Sequence, residues 1–393
     1  MQTLFEFLSN ESLDNVITCL NYKLDKVVFL GYQNQIDNKR TSIDTLLKGK
    51  CQVLTTDYCA VAPDDYQGIV KKMEELVKRE IEAGNEIFFD ITGGEALILV
   101  AFGYLSSKYD MPMHYYDVLK DCIHELDEGS ARSISKDVTK RKLSMTISEF
   151  IKLSGGIINM DMHKPEKNGF TQQDFNDVDM LWNIICKHKS KWSLFSTFIR
   201  NFLQTEDNAY LVVSKSSNAI KESLMKSNMS KKISYKEIVS MLKELESKKV
   251  LTHLRLNDGQ LSFRYKNPLI KSCIETTGNA LEIQRYHALS LQVDDCMIGV
   301  HLDWDGTIHE NPGVDVCNEI DVMGIKNNVP IFVSCKIGHQ NRPQILSALY
   351  ELDTVACRFG GVYAQKELVI LNDVATVYKS RAESMGININ VFS

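Results

Sequence analysis

Residues 318–338, "NEIDVMGIKNNVPIFVSCKIG", place two carboxylates and an amine where charge chemistry is possible. Glu319 and Asp321 lie two apart on one predicted strand, and Ser334 and Lys336 lie two apart on the next. Period-two alternation puts each pair on one strand face, and a turn at Lys326, Asn327 and Asn328 folds the faces together. The same pattern also describes an ion pair on the solvated side of an ordinary hairpin. Two further residues favour convergence. Glu282, in "GNALE", sits on a helix just before the first strand of this region, and Gln344 opens the helix that follows Lys336.

A second constellation lies near the other end. In "DITGGEALILVAFGYL", Asp90, Thr92, Gly93, Gly94 and Glu95 fall between a strand and an apolar helix. Paired glycines at a helix start let backbone N–H groups approach an anionic or polar ligand, and threonine adds a hydroxyl. Neither G-x-G-x-x-G nor a G-K-[ST] ending is present, which excludes a dinucleotide fingerprint and a P-loop. A tight turn with no ligand remains the alternative on this motif alone. In "LSNESLDN", Ser9 and Asn10 end the first strand and Ser12 is placed to cap a helix.

The elements that would hold these residues follow from periodicity. Residues 2 to about 126 alternate apolar strand-like runs with helices, the signature of a mostly parallel, doubly wound sheet. Such sheets bind ligands beyond the carboxyl ends of strands where strand order reverses, which selects the Ser9–Asn10 and Thr92–Glu95 junctions. Residues 130–272 are helical and basic, with loop signals at "SGG" (154–156) and "HKPEKNG" (163–169). Within them Ile238, Met241, Leu242 and Leu245 have helical spacing, followed by two strands around Asn257, Asp258 and Gly259, resembling the last helix and wing of a winged-helix module. From Glu275 the α/β pattern returns, with Ile345, Leu349, Leu352 and Ala356 marking an amphipathic helix.

At 393 residues and 44% hydrophobic the chain is long enough for two or three domains, each with a core. Its net charge of −6 is unevenly spread. Residues 132–272 hold 25 Lys and Arg against 14 Asp and Glu, and the remainder 20 against 37. A basic centre between acidic ends is compatible with a polyanion lying against the middle, or with solvated helix faces. Ten cysteines without a C-x-x-C pair read as small buried residues of a reducing compartment. "MQTLFEFLSNESLDN" lacks a signal-peptide pattern, and no apolar run reaches the roughly 18 residues of a membrane span, so the expected location is cytoplasmic.

The order helix with Glu282, strand, strand with Asp321, "SCK" strand, helix, strand resembles the restriction-endonuclease-like core of P-D-(D/E)-x-K nucleases. The resemblance implies that Glu282, Glu319 and Asp321 hold Mn²⁺ or Mg²⁺, with Lys336 as the lysine of the signature. Ser334 departs from the pattern by standing at the usual acidic position; Glu319 would replace the missing charge, or the serine hydroxyl would coordinate directly or through water. His301 and His309 are left outside the site. "LSNESLDN" and "DITGGEALILVAFGYL" resemble a CARF domain, the Rossmann-like sensor of cyclic oligoadenylates in type III CRISPR defence. The order of the two ends is similar to that of the Card1/Can2-like CARF nucleases.

That resemblance implies three parts: a CARF sensor over 1–130, a helical linker with a winged-helix-like module over 131–272, and a restriction-endonuclease-like α/β/α domain over 273–393. It implies a homodimer in which cyclic tetra-adenylate, as allosteric activator, contacts Ser9, Asn10, Asp90 and Thr92–Glu95. The nuclease would cut single-stranded RNA and DNA and nick supercoiled DNA, with no membrane involved, and the basic middle would hold the substrate backbone. Two other readings stay open. One is a ligand-responsive winged-helix transcription regulator with an inert C-terminal domain; the other is an adaptor dimer with a surface ion pair on its hairpin.

Overall fold

The computed structural model describes residues 1–51, 54–127, 130–133, 142–160, 169–203, 210–227, 231–257, 259–308, 317–337 and 342–392. His309, Asp258 and residues 163–168 of the predicted loop lie outside the described residues.

The first sheet is built from β1 (Gln2–Phe7), β2 (Lys26–Gly31), β3 (Thr55–Ala60), β4 (Glu86–Asp90), β5 (Met113–Asp117), β6 (Cys122–Asp127) and β7 (Ser130–Ser133). Helices α1 (Asp14–Asn21), α2 (Gln33–Lys50), α3 (Tyr66–Glu82) and α4 (Ala96–Tyr109) connect the first five strands. Strand order is β3-β2-β1-β4-β5-β6-β7, parallel through β5 and antiparallel beyond it. β1 is buried on both faces: Leu4, with Leu8 just past the strand, packs with α1 and α2, and Phe5 and Phe7 pack with α3 and α4. The chain steps one way from β1 to β3 and the other way from β4 on, so the carboxyl ends of β1 and β4 lie side by side at the switch point. The Rossmann-like reading of this part holds.

Next come α5 (Ile147–Leu153) and β8 (Ile157–Ile158), the latter hydrogen-bonded to the edge of the C-terminal sheet. The middle continues with α6 (Gln172–Lys187), α7 (Lys189–Phe202), β9 (Val212–Ser216), α8 (Ser217–Lys226), α9 (Tyr235–Ser247), β10 (Leu251–Asn257), β11 (Gln260–Tyr265) and α10 (Pro268–Glu275). The order α7, β9, α8, α9, β10, β11 with a sheet β10-β11-β9 is a whole winged helix, more than the final helix and wing that the sequence predicts. α9 starts with a Ser234–Glu237 capping box and buries Ile238, Met241, Leu242 and Leu245, the predicted stripe.

The C-terminal part comprises α11 (Asn279–Ser290), β12 (Asp295–Asp303), β13 (Cys317–Lys326), β14 (Val329–Lys336), α12 (Arg342–Gly360), a 3₁₀ turn Gly361–Tyr363, β15 (Gln365–Ile370), α13 (Thr376–Ser384) and β16 (Ile387–Val391). Its sheet runs β16-β15-β14-β13-β12-β8, antiparallel from β12 to β14 and parallel from β14 to β16. Asn327 and Asn328 both take positive φ (52° and 66°), which two-residue hairpin turns require. The Asn328 amide side chain accepts from Met145 N–H (2.7 Å) and donates to Leu143 C=O (3.1 Å), anchoring the hairpin to the segment before α5.

One face of this sheet packs on α5 and α12, and its core continues to α1 and α2; the other packs on α11, and its core continues through α6–α10. Within β12 and β13 the faces exchange. Ile298 and Val322 belong to the second core, Val300 and Ile320 to the first. The exchange occurs at Gly299, whose φ of 62° is left-handed and which a residue with Cβ adopts only under strain.

Candidate functional site

Asp321 falls at that exchange. The β12–β13 register pairs Ile298 with Val322 and Val300 with Ile320, which sets Gly299 opposite Asp321. On its other side, the β13–β14 pairs run from Lys326–Val329 to Val322–Val333. Past them the Asp321 carboxylate takes over: Oδ2 accepts from Cys335 N–H at 2.6 Å and from the Ser334 hydroxyl at 3.1 Å. Lys336 Nζ stands 3.6 Å from the same oxygen. Ser334 is thus a donor that fixes the aspartate, not a second negative charge.

Glu282 reaches the same neighbourhood from α11. It folds back over its own helix start, where a Cβ on Gly278 would lie 2.8 Å from its Oε1, so the carboxylate meets the positive end of the helix. Its charge and that of Asp321 both act on the buried Cys335 thiol, which desolvation above all holds well above the usual thiol range. α11 is locked to the sheet three residues on, where Arg285 donates twice to Glu367 Oε2 (3.0 and 2.6 Å).

Glu319 behaves differently. Strict alternation predicts that it shares a face with Asp321, but the crossover at Gly299 breaks that periodicity. Its half-exposed side chain lies 3.8 Å from the His301 ring. Among the described residues no group of three or more His, Cys, Asp or Glu is gathered for a metal ion, so the predicted trio Glu282, Glu319 and Asp321 is not assembled. In donor type the site still fits a hard divalent cation, with carboxylate oxygens from Asp321 and Glu282 and a neighbouring thiol kept protonated.

At the switch point the loop of Ser9 meets the Thr92–Glu95 turn at Gly93. Asn15 clamps the first loop, accepting from Ser9 N–H (2.7 Å) and donating to Ser9 C=O (3.1 Å). Gly93 packs against it so closely that a Cβ would lie 2.7 Å from Asp14 Oδ2 and 2.8 Å from Ser9 Cβ. Thr92 is set by two bonds, its N–H to Asp90 Oδ1 (2.7 Å) and its Oγ1 accepting from Tyr116 N–H (2.8 Å). Gly94 has φ 139°, and Glu95 is exposed at the start of α4, accepting from the Tyr32 hydroxyl. Asp90 is fully buried; it shapes the turn from below and does not reach the mouth.

Sequence reasoning missed Lys39. From α2 its ammonium donates to the carbonyls of Ser9 (2.5 Å) and Asn10 (3.1 Å), bringing a cation to the loop. Burial lowers its pKa, opposed by Glu11 and Asp14. The polar sequence of α2 carries no signal for this role.

Beneath the loops sit three buried carboxylates, Glu6, Asp14 and Asp90. Desolvation raises all three, Glu6 well above the carboxylate range and Asp14 to about 6. Asp14 Oδ1 accepts from the Tyr363 hydroxyl at 2.7 Å, and Glu11 Oε2 accepts from Val362 N–H at 3.2 Å. Both donors belong to the 3₁₀ turn that feeds β15, the strand beside β14 and Lys336. The switch-point loop and the Asp321 site are therefore joined by hydrogen bonds through one connector.

Residues 274–391 match the family model described as Card1-like, endonuclease domain. None of the curated proteins matches the chain. Among solved structures, protein VC1899 from Vibrio cholerae shares the fold at 16% identity and a TM-score of 0.73, over 99% of this chain and 94% of that one. Can2 from Sulfobacillus thermosulfidooxidans, solved in complex with cyclic tetra-adenylate, shares it at 14% identity and a TM-score of 0.66, over 99% and 95%. The resemblance to Card1/Can2-like CARF nucleases read from the sequence is borne out: residues 274–391 match the Card1-like endonuclease model, and the whole chain has the fold of these structures.

Proposed function

We propose that the chain is a cyclic-oligoadenylate-activated, metal-dependent nuclease of type III CRISPR defence that acts in the cytoplasm. Residues 1–130 act as sensor, 131–272 as linker and 273–393 as nuclease. The observation that carries the reading is Asp321 at the mouth of the opened β13–β14 ladder, with Lys336 3.6 Å away. Asp321 and Glu282 would hold Mg²⁺ or Mn²⁺, which when bound polarises a phosphate and lowers the pKa of water. Ser334 and Cys335 N–H orient the Asp321 carboxylate, and Lys336 positions the attacking water and offsets charge on the phosphate. Glu319 joins the site only by leaving His301. The substrates are single-stranded RNA and DNA, with nicking of supercoiled DNA.

The activator proposed for the switch-point pocket is cyclic tetra-adenylate, the ligand in the Can2 structure. The Ser9–Asn10 and Thr92–Glu95 loops would contact it, and its differential affinity for two conformations would move the connector at Gly361–Tyr363. A homodimer fits α4, which is apolar yet leaves Leu97, Val100 and Tyr104 (38%, 58% and 47% exposed) at helical spacing on one face. That helix begins beside Glu95, so a two-fold partner there would bring two pockets together.

The test is cleavage of supercoiled plasmid and a labelled single strand in Mn²⁺, with and without cyclic tetra-adenylate, by the native chain and Asp321→Ala. Cleavage that needs both messenger and Asp321 supports the proposal. Messenger binding with no cleavage under either metal favours a second reading, the winged-helix regulator with an inert C-terminal domain. The neutral Ser334 and the full winged helix are the observations on its side.

A further inference from the structure

In a winged helix the second helix of the helix–turn–helix pair is the one free to enter a groove, and here that helix is α9. Lys236, Ser240, Lys243 and Ser247 follow at steps of four, three and four, so they form one stripe, and all four are exposed. The opposite face is the buried Ile238–Met241–Leu242–Leu245 row.

The three acids of α9 are each committed elsewhere. Glu237 closes the capping box with Ser234 N–H (2.7 Å) and hydroxyl (2.8 Å). Glu244 accepts from Lys187 (2.7 Å) and meets the His188 ring (2.8 Å). Glu246 accepts from Leu254 N–H (2.7 Å) at the root of the wing. Among the described residues no carboxylate pairs with Lys236 or Lys243, so the stripe presents two ammonium groups and the Ser240 hydroxyl, while the Ser247 hydroxyl donates back to Glu244 C=O (2.7 Å).

Further cations surround it. Lys231, Lys232, Lys248 and Lys249 flank the two helix ends, and Arg255 and Arg264 are exposed on the wing strands. Over residues 231–257 seven Lys and Arg face three Asp and Glu, the same three that are tied back. From Lys236 to Ser247 the stripe is about 16 Å long at ~1.5 Å per residue. That length on a convex helix suits a duplex major groove about 12 Å wide. Lysine and serine contact phosphate oxygens without reading bases.

We infer that α9 is a docking helix for duplex nucleic acid, held through backbone phosphates by Lys236 and Lys243 with Ser240, with no strong sequence preference. The surface is distinct from the Asp321 site and does not depend on that site cutting.

The experiment is fluorescence anisotropy of a labelled 20-base-pair DNA duplex with the full chain in EDTA, titrated with salt. EDTA prevents metal-dependent cleavage, so failure of the nuclease reading leaves this measurement intact. Lys236→Glu/Lys243→Glu is expected to weaken binding by about tenfold or more at low salt and to lower the log–log salt slope by about 2. Lys236→Gln/Lys243→Gln should give a smaller loss, and two unrelated duplex sequences the same loss. The charge-matched control Lys48→Glu/Lys71→Glu, on exposed residues of α2 and α3, should leave both quantities unchanged. Native affinity and slope in the α9 variant, or an equal loss in the control, overturns the proposal. Equal binding of a single strand overturns the assignment to duplex.

Discussion

Replacing Tyr363 by Phe removes one oxygen, and with it one of two hydrogen bonds between the switch-point region and the connector of the C-terminal sheet. The bond is 2.7 Å long and ends on Asp14, 4% exposed, so water does not readily replace it. A hydrogen bond to a charged group contributes about 1.5–3 kcal/mol, and here it is the largest influence opposing the burial that raises Asp14. The Glu11–Val362 bond remains in the variant, so the loss of coupling should be partial, about 1–2 kcal/mol. That converts to a roughly 5–30-fold fall in stimulation, the ratio of cleavage rates with and without saturating cyclic tetra-adenylate. The assay is single-turnover cleavage of a labelled strand in both states, beside direct measurement of messenger affinity. Two results refute the reasoning: unchanged stimulation in a folded variant, or rates that fall equally with and without messenger.

Asp14→Asn tests the buried charge. A folded-state pKa of about 6, above the ordinary carboxylate value, means that the folded chain holds this proton more tightly than the unfolded one. The stability it contributes is full below about pH 4 and is lost as pH rises through 6, a change of order 3 kcal/mol. Asn has no proton to lose, so the variant should melt above the native chain at pH 7–8 and together with it near pH 4; equal melting at both ends contradicts the assignment. Gly299→Ala puts a Cβ on left-handed backbone opposite Asp321 and should destabilise by about 1–2 kcal/mol while lowering cleavage and sparing messenger binding. Full activity in that variant would detach Gly299 from the site. Val100→Asp, on the open face of α4, should convert a dimer into monomers by light scattering, and an unchanged mass would remove that face from the proposed interface.

Much of the switch-point pocket was legible because it depends on local order. Alternating strands and helices fix a doubly wound sheet, and the sheet fixes which loops meet, so Ser9 and Thr92 follow without knowledge of packing. The hairpin was legible for a similar reason, since "KNN" supplies the turn and alternation supplies the strands. Alternation then misplaced Glu319, because it assumes an uninterrupted pleat. The lone glycine in "CMIGVHLDW" was the available warning that the pleat breaks there. Tyr363 and Asp14 are 349 positions apart and left no local trace, as did Lys39, one polar residue on a polar helix. Asp90 was legible as part of a turn, but its complete burial was not, because that depends on what α1 and β5 place over it.

The two cores on either side of the C-terminal sheet bear on how the chain comes apart. One runs without a break from Leu4 and Val16 through Ile147 to Phe332 and Leu349; the other runs from Trp192 through Leu281 to Val333 and Val369. Because β12 and β13 are covered on both faces, the same two strands contribute to both, as neighbouring Val322 and Met323 show. Neither core can lose its partner surface on this sheet without exposing apolar area on the strands that support the other. The N-terminal sheet, the winged helix and the C-terminal sheet, three parts in sequence, should therefore melt in a single calorimetric transition rather than in three.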